Sequence, residues 1–380
     1  MHTTDTRSGK NRHGNPKWWV VASSALVLLL QACGGVETDR FCDMSQYTPQ
    51  IPVCEYQGFA CTYASATLNT TSSLGAYALN TVDSVGSLSV LGKELYVTQP
   101  SNNLVYQFLL NSSKVILSGT QWFTSTLSSR IQPYAVQNVA CRALVYTDAV
   151  NQRVVIQDHN KLTVSDLVPV GRFKRPGPMA LDPSGFIFLL DLGDPAVATD
   201  PGVLYRVDAV GNVSSVLSNV NLRSVTSLAS GTVSNQARLY MTRNNLVEYI
   251  NPSLASPIVT TLAIGSVQAA AVATDSLGNL YMLENQGDAN NHNLRGHGVS
   301  KYSISSNTVT RIAGVLPNVS YNNMNVIVSY DASSGAVDDA SDATLSRFKF
   351  PSAMSVDQYG NIYILDRGNG SIRVVSPNAN

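Results

Sequence analysis

Three stretches of the chain decide its fold: Met179–Asp191 (MALDPSGFIFLLD), Val272–Glu284 (VATDSLGNLYMLE) and Met354–Asp366 (MSVDQYGNIYILD). Each reads as a short apolar strand ending in Asp, a tight turn with Gly at a fixed offset, and a second strand that closes on an acid. Gly185, Gly278 and Gly360 supply the positive φ that such a turn needs, with no Cβ to oppose it. Gly-Asn follows in two copies, Gly278-Asn279 and Gly360-Asn361, the signal of a hairpin between apolar runs.

Degenerate copies of the second strand fill the gaps at Leu95-Tyr96-Val97-Thr98, Leu144-Val145-Tyr146-Thr147-Asp148 and Leu239-Tyr240-Met241-Thr242. With Tyr96, Tyr146, Phe188, Tyr240, Tyr281 and Tyr363 as anchors, the spacings are 50, 42, 52, 41 and 82 residues. A period of about 40–50 residues built from short strands predicts an all-β fold, a β-propeller of four-stranded antiparallel blades. The last spacing leaves room for a seventh blade. Residues 315–350 hold a single apolar run (Asn325–Val328) and no second Gly turn, so they read as a long connection and the blades number six. The last blade has a third strand at Ser371–Ser376 and lacks a fourth. Tyr63–Thr71 (YASATLNTT) precedes the first inner strand and is predicted to supply it, closing the ring and covering an edge.

The stretch Arg347–Ser376 (RFKFPSAMSVDQYGNIYILDRGNGSIRVVS) resembles the NHL repeat in its Pro, Asp, Gly-Asn, Tyr and Asp positions. Asp338–Pro351, with Ala343, Phe348 and Pro351, resembles the lead-in to such repeats. Recognisable copies cover blades three, five and six. The resemblance implies a propeller and is nearly silent on function, because propellers host binding proteins and enzymes alike.

Ahead of the repeats, Arg7, Lys10, Arg12 and Lys17 form a basic leader, and Trp18–Leu30 (WWVVASSALVLLL) runs without a charge. A helix of that length reaches roughly 20 Å, short of a bilayer core of roughly 30 Å, so the pattern is that of a signal peptide. Leu30-Gln31-Ala32-Cys33 resembles the lipobox of bacterial lipoproteins, with Gln31 where that family usually carries a small residue. The resemblance implies that Cys33 is acylated and becomes the mature N-terminus, where more than one acyl chain anchors stably. With Gly34 rather than Asp after the cysteine, it implies a bacterial cell envelope address, at the outer membrane rather than the inner. The rival reading is an ordinary secretory signal with a chance cysteine. The expected organisation is residues 1–32 signal peptide, 33–62 anchor and linker, and 63–380 propeller.

Charged residues are 13% of the chain, against the usual quarter. Removing residues 1–32 takes four bases and one acid from 25 of each, leaving 21 against 24 and a formal charge of −3. That excludes the phosphate-neutralising chemistry of a nucleic-acid partner. Five cysteines are present. Acylation of Cys33 leaves Cys42, Cys54, Cys61 and Cys141, disulfide candidates in an oxidising compartment with three connectivities open. No C-x-x-C pair exists, which disfavours zinc.

Second strands end on the face from which inner strands start. Asp148, Asp191, Glu284 and Asp366 take that position in four blades, and Thr98 and Thr242 in two. Arg172-Phe173-Lys174-Arg175-Pro176 and Arg347-Phe348-Lys349-Phe350-Pro351 precede two inner strands and meet the same face. The expected ligand or partner site therefore comprises Asp148, Asp191, Glu284, Asp366, Arg172 and Arg347 at the channel mouth. No cofactor is predicted outright; Ca²⁺ or Mg²⁺ is the ion these carboxylates would suit. The competing expectation is structural, each acid pairing with an arginine or with amides of the neighbouring blade. His159 reads as a turn residue, and His292 and His297 as solvated residues of the insertion Asn285–Gly298. That insertion and Leu316–Leu345 are the two long excursions on the mouth face. No G-x-S-x-G elbow or phosphate loop appears. The sequence thus predicts a monomeric, lipid-anchored binding or scaffolding module for an envelope protein or small polar ligand. The alternative is a metal-dependent propeller hydrolase or lyase, lactonase-like, with its site at the channel mouth.

Overall fold

The computed structural model describes residues 63–68, 86–100, 104–110, 116–121, 133–139, 143–158, 164–182, 184–265, 267–275, 277–285, 296–304, 306–316, 318–321, 327–331 and 342–377. Cys33, Cys42, Cys54, Cys61, Cys141, His159 and His292 lie outside these residues. Among the described residues strand β1 (Tyr63–Thr67) comes first. Blade one is β2–β5 (Leu88–Leu91, Glu94–Gln99, Leu104–Leu110, Ile116–Gln121), and blade two is β6–β9 (Pro133–Val139, Ala143–Asp148, Arg153–Asp158, Val164–Val168). Blade three is β10–β13 (Pro176–Leu181, Ile187–Asp191, Val203–Val207, Val213–Leu217), and blade four is β14–β17 (Val225–Val233, Gln236–Arg243, Leu246–Ile250, Thr260–Thr261). Blade five is β18–β21 (Ala271–Thr274, Leu280–Asn285, His297–Ser303, Thr308–Ala313). A hairpin, β22 and β23 (Asn318–Tyr321, Ile327–Asp331), separates it from β24–β26 (Ala353–Val356, Ile362–Asp366, Ser371–Pro377). Among the described residues no helix is long and apolar enough to cross a membrane.

The first five blades are antiparallel meanders in chain order, and the sixth runs β1-β26-β25-β24. Strand β1 pairs antiparallel with β26 from Tyr63↔Pro377 to Thr67↔Arg373, and the Leu68 N–H donates to the Ile372 carbonyl at 3.0 Å. The ring is therefore closed by the N-terminal strand. Within the expected long connection, β22 and β23 form a two-stranded sheet outside the blades, followed by a 3₁₀ turn at Ala343–Leu345. Blade number stays at six because this hairpin adds no four-stranded sheet.

Second strands such as IFLLD and IYILD read as unbroken apolar runs because both of their faces are buried. In β11, Ile187 and Leu189 pack with blade two, whereas Phe188 and Leu190 pack with blade four. In β25, Tyr363 and Leu365 face blade one, and Ile362 and Ile364 face blade five. The period of two thus sends alternate side chains to opposite neighbours. Each described core cluster is shared by two adjacent blades, and all of the predicted aromatic anchors are buried.

The hairpin turns are built as the repeat requires. Gly185, Gly278 and Gly360 have φ of 86°, 81° and 79°. Asp357 Oδ1 accepts the N–H groups of Tyr359 at 2.8 Å and Asn361 at 2.9 Å, and its Oδ2 accepts from Asn361 Nδ2 at 2.7 Å. Asp275 repeats the pattern with Leu277 and Asn279. So does Asp208 with Val210 and Asn212 in DAVGN, between β12 and β13, where Gly211 has φ 89°. Asp-x-x-Gly-Asn is therefore a self-capped turn whose aspartate is occupied by local amides.

Candidate functional site

The four acids that end second strands are buried, with Asp148 and Asp366 fully so. Each is engaged within its own blade. Asp148 accepts from Asn151 N at 3.2 Å, Asn151 Nδ2 at 2.7 Å and Arg153 Nε at 2.9 Å. Asp191 accepts the backbone N–H groups of Lys174 at 2.8 Å, Arg175 at 2.7 Å and Gly193 at 3.2 Å. Glu284 accepts from the Ser300 hydroxyl and lies 3.0 Å from Arg311 Nη1. Asp366 accepts from Lys349 N at 2.7 Å and Asn369 Nδ2 at 2.8 Å, with Arg373 Nη1 at 3.8 Å. Burial pushes the Asp366 carboxyl up to about 6, against the pull of these donors.

Asp148, Glu284 and Asp366 each meet an arginine, as the structural expectation has it, but these contacts lie within the acid's own blade rather than between blades. The reason is geometric. The lead-in passes directly over the end of the second strand of the same sheet, so its amides are the nearest orphan donors. Thr98 does likewise with Ser87 N at 2.7 Å. Thr242 reaches across, through Thr226 at 2.7 Å and the Ala270 carbonyl of blade five at 3.4 Å. Arg172 and Arg347 are exposed. Among the described residues no three His, Cys, Asp or Glu side chains group to hold a metal ion.

A cavity of about 560 Å³ opens where the inner strands of five blades begin, including Leu88, Met179, Leu228, Val272 and Met354. Its polar lining comes from Ser87, Thr226, Ser227, Asn245, Asn285 and Ser352, and Arg367 is the one charged side chain among the described residues that line it. None of the six residues expected to form the site lines it. Its size falls in the range of small-molecule pockets, roughly 300–1,000 Å³.

At its edge stands Phe350, which is 50% exposed. Phe350 has φ 47°, a left-handed conformation for a bulky residue that also precedes a proline. Both features oppose that geometry, at a cost of order 1–3 kcal/mol. His297 holds it there. The Phe350 N–H donates to His297 Nδ1 at 2.8 Å, and the rings lie 5.0 Å apart at 58°. The expectation of a solvated His297 is corrected: it opens β20 and is 2% exposed. Burial, with the nearby Arg311 guanidinium, lowers its pKa to about 4 and keeps it neutral. In sequence, Phe348 and Phe350 look alike in RFKF. The parallel RFKR lead-in of blade three puts Phe173 in the core, as Phe348 is, and leaves Arg175 in the place of Phe350. That comparison is the one sequence signal that singles out Phe350.

Six antiparallel four-stranded sheets in a ring with a cavity at the channel mouth define a β-propeller with a binding-site geometry. No protein-family model matches the chain, and no curated protein matches it by sequence. Solved structures match in fold. One is a protein of unknown function from Bacteroides thetaiotaomicron, at 12% identity and TM-score 0.58 over 84% of this chain and 77% of that one. A putative gluconolactonase matches at 9% identity and TM-score 0.53, over 86% and 96%. Regucalcin, described as a calcium-binding protein, from Agrobacterium tumefaciens, matches at 10% identity and TM-score 0.51, over 83% and 95%. At these identities the likeness is one of fold.

Proposed function

We propose that this chain is a lipid-anchored cell-envelope propeller, built on NHL-like repeats, that binds a small polar ligand at its channel mouth. The observation that carries the reading is the contrast between the cavity and the carboxylates. The cavity is lined by hydroxyls, amides and apolar strand ends, while Asp148, Asp191, Glu284 and Asp366 are buried against donors of their own blades. A carboxylate that accepts backbone N–H groups stabilises its blade and has few lone pairs left for a cation.

The expected result of titrating Ca²⁺, Mg²⁺ and Zn²⁺ into wild type, Asp191→Asn and Glu284→Gln follows from this. Metal binding should be weak in all three, and each variant should melt lower, because a lost buried acceptor costs about 1–3 kcal/mol. A stoichiometric cation site that disappears in both variants would replace the binding module with a metal-dependent hydrolase or lyase.

The anchor rests on the lipobox-like Leu30–Cys33. Cells expressing Cys33→Ser should release the protein from the membrane fraction that holds wild type. Equal retention of both would leave no support for acylation at Cys33.

A further inference from the structure

The inference deepens the mouth-site reading by naming the ligand class and the residue that selects it. We propose that Phe350 is the stacking platform of the cavity, that His297 positions it, and that the ligand is a carboxylated sugar ring whose carboxylate meets Arg367.

Blade six departs from blade three at one position of the repeat. In blade three Asp191 gathers the N–H groups of both Lys174 and Arg175. In blade six Asp366 takes the N–H of Lys349, but the N–H of Phe350 turns away to His297 of blade five. Phe350 is left-handed, whereas Arg175 has no positive φ. A feature shared by all blades serves the ring; one confined to a single blade at the edge of a cavity points to the cavity. The strain is maintained by a specific acceptor. His297 is neutral, so its Nδ1 lone pair is available to the Phe350 N–H and its proton sits on the buried Nε2; beside it, Arg311 donates to the His297 carbonyl at 2.5 Å and lies 3.0 Å from Glu284. Arg347 and Lys349, the charged residues of the lead-in, are exposed.

What the platform meets follows from the lining. An exposed aromatic face takes the C–H face of a ring. Hydroxyl and amide side chains at Ser227, Asn245, Asn285 and Ser352 match a ring that carries several hydroxyls. Arg367 sets the sign of the charge, and guanidinium recognises carboxylate through paired N–H donors. A planar aromatic acid shares the carboxylate but leaves the polar lining unused.

The test is calorimetric titration of the intact protein with D-glucuronate, neutral methyl glucoside and benzoate. Wild type should bind glucuronate ahead of both others. Phe350→Ala should weaken glucuronate binding roughly five- to tenfold with little change in melting temperature, since the ring is half exposed and Ala bears the same left-handed backbone cost as Phe. His297→Leu should weaken it similarly, and the double variant no further, the coupling expected of a positioning residue. Arg367→Gln should abolish the preference for glucuronate over methyl glucoside, and Arg367→Lys should retain part of it. Ser87→Trp, which fills the mouth from blade one, serves as the control for the cavity. Binding blocked by Ser87→Trp but untouched by Phe350→Ala overturns the platform and leaves the cavity reading intact. Glucuronate binding that survives Ser87→Trp overturns both. Benzoate binding as tightly as glucuronate, or no glucuronate binding by wild type, overturns the ligand class.

Discussion

Deleting residues 63–68 should abolish the cooperative melting transition of the propeller. Strand β1 contributes five residue pairs to β26 and a further backbone hydrogen bond from Leu68. Its side chains serve two interfaces at once. Tyr63 packs in the core between blades five and six, and Leu68 in the core between blades six and one. Without β1, strand β26 is left as an unpaired edge, and both clusters lose a wall. Loss of a buried Leu alone typically costs about 2–5 kcal/mol and of a large aromatic about 3–5. Together these rival the whole stability of an ordinary domain, roughly 5–15 kcal/mol. In a ring, moreover, no blade is a terminus that can fray harmlessly. The double variant Tyr63→Ala, Leu68→Ala keeps the strand and should lower the melting temperature sharply while retaining a single transition. Circular dichroism and calorimetry check both. A deletion protein that melts at the wild-type temperature would mean that the ring does not depend on this strand.

The same strand shows why the architecture was legible before its site. Propeller closure depends on period and turn chemistry, both of which are local. Gly185, Gly278 and Gly360 announce positive φ, and the runs in β11 and β25 announce burial on both faces. Acids at the ends of second strands were also visible, but their partners were not. Whether Asp191 meets a cation, a neighbouring blade or the amides of Lys174 and Arg175 is decided by how the lead-in loop lies over its own sheet, which no spacing encodes. His297 was misplaced for a related reason. It sits beside a Gly- and Asn-rich insertion, and composition takes no account of a strand that begins at its last residues. The hairpin of Asn318–Tyr321 with Ile327–Asp331 lacks a Gly turn and so escaped a pattern tuned to Gly. Phe350 carries its information in a backbone angle and in an acceptor 53 residues away in sequence. Features that serve every blade repeat and can be read; those that serve one site do not.

The second large effect concerns the pair at the end of blade six. Asp366 and Arg373 are both fully buried, and Arg373 also donates to the Arg347 carbonyl at 3.2 Å and lies 5.2 Å over Phe348. Asp366→Ala should cost about 3–5 kcal/mol, because it leaves a buried guanidinium uncompensated and orphans the Lys349 N–H. Two further variants test the electrostatics by sign. The Asp366 carboxyl, raised from 3.8 to about 6 by burial, holds a proton in the folded state that the unfolded state has released. Its contribution is therefore full at low pH and falls as pH rises through that window, by about 3 kcal/mol. His297, lowered from 6.5 to about 4, does the reverse: the unfolded state binds the proton that the folded state rejects. Its contribution is full above 6.5 and is lost as pH falls toward 4, again by about 3 kcal/mol. Denaturant melts of wild type minus Asp366→Asn should thus show a difference in stability that shrinks as pH rises from 4 to 6. Wild type minus His297→Gln, which keeps an acceptor for Phe350, should show one that grows over the same range. If both differences run with the same sign, one of these buried groups has been assigned the wrong charge state in the folded protein.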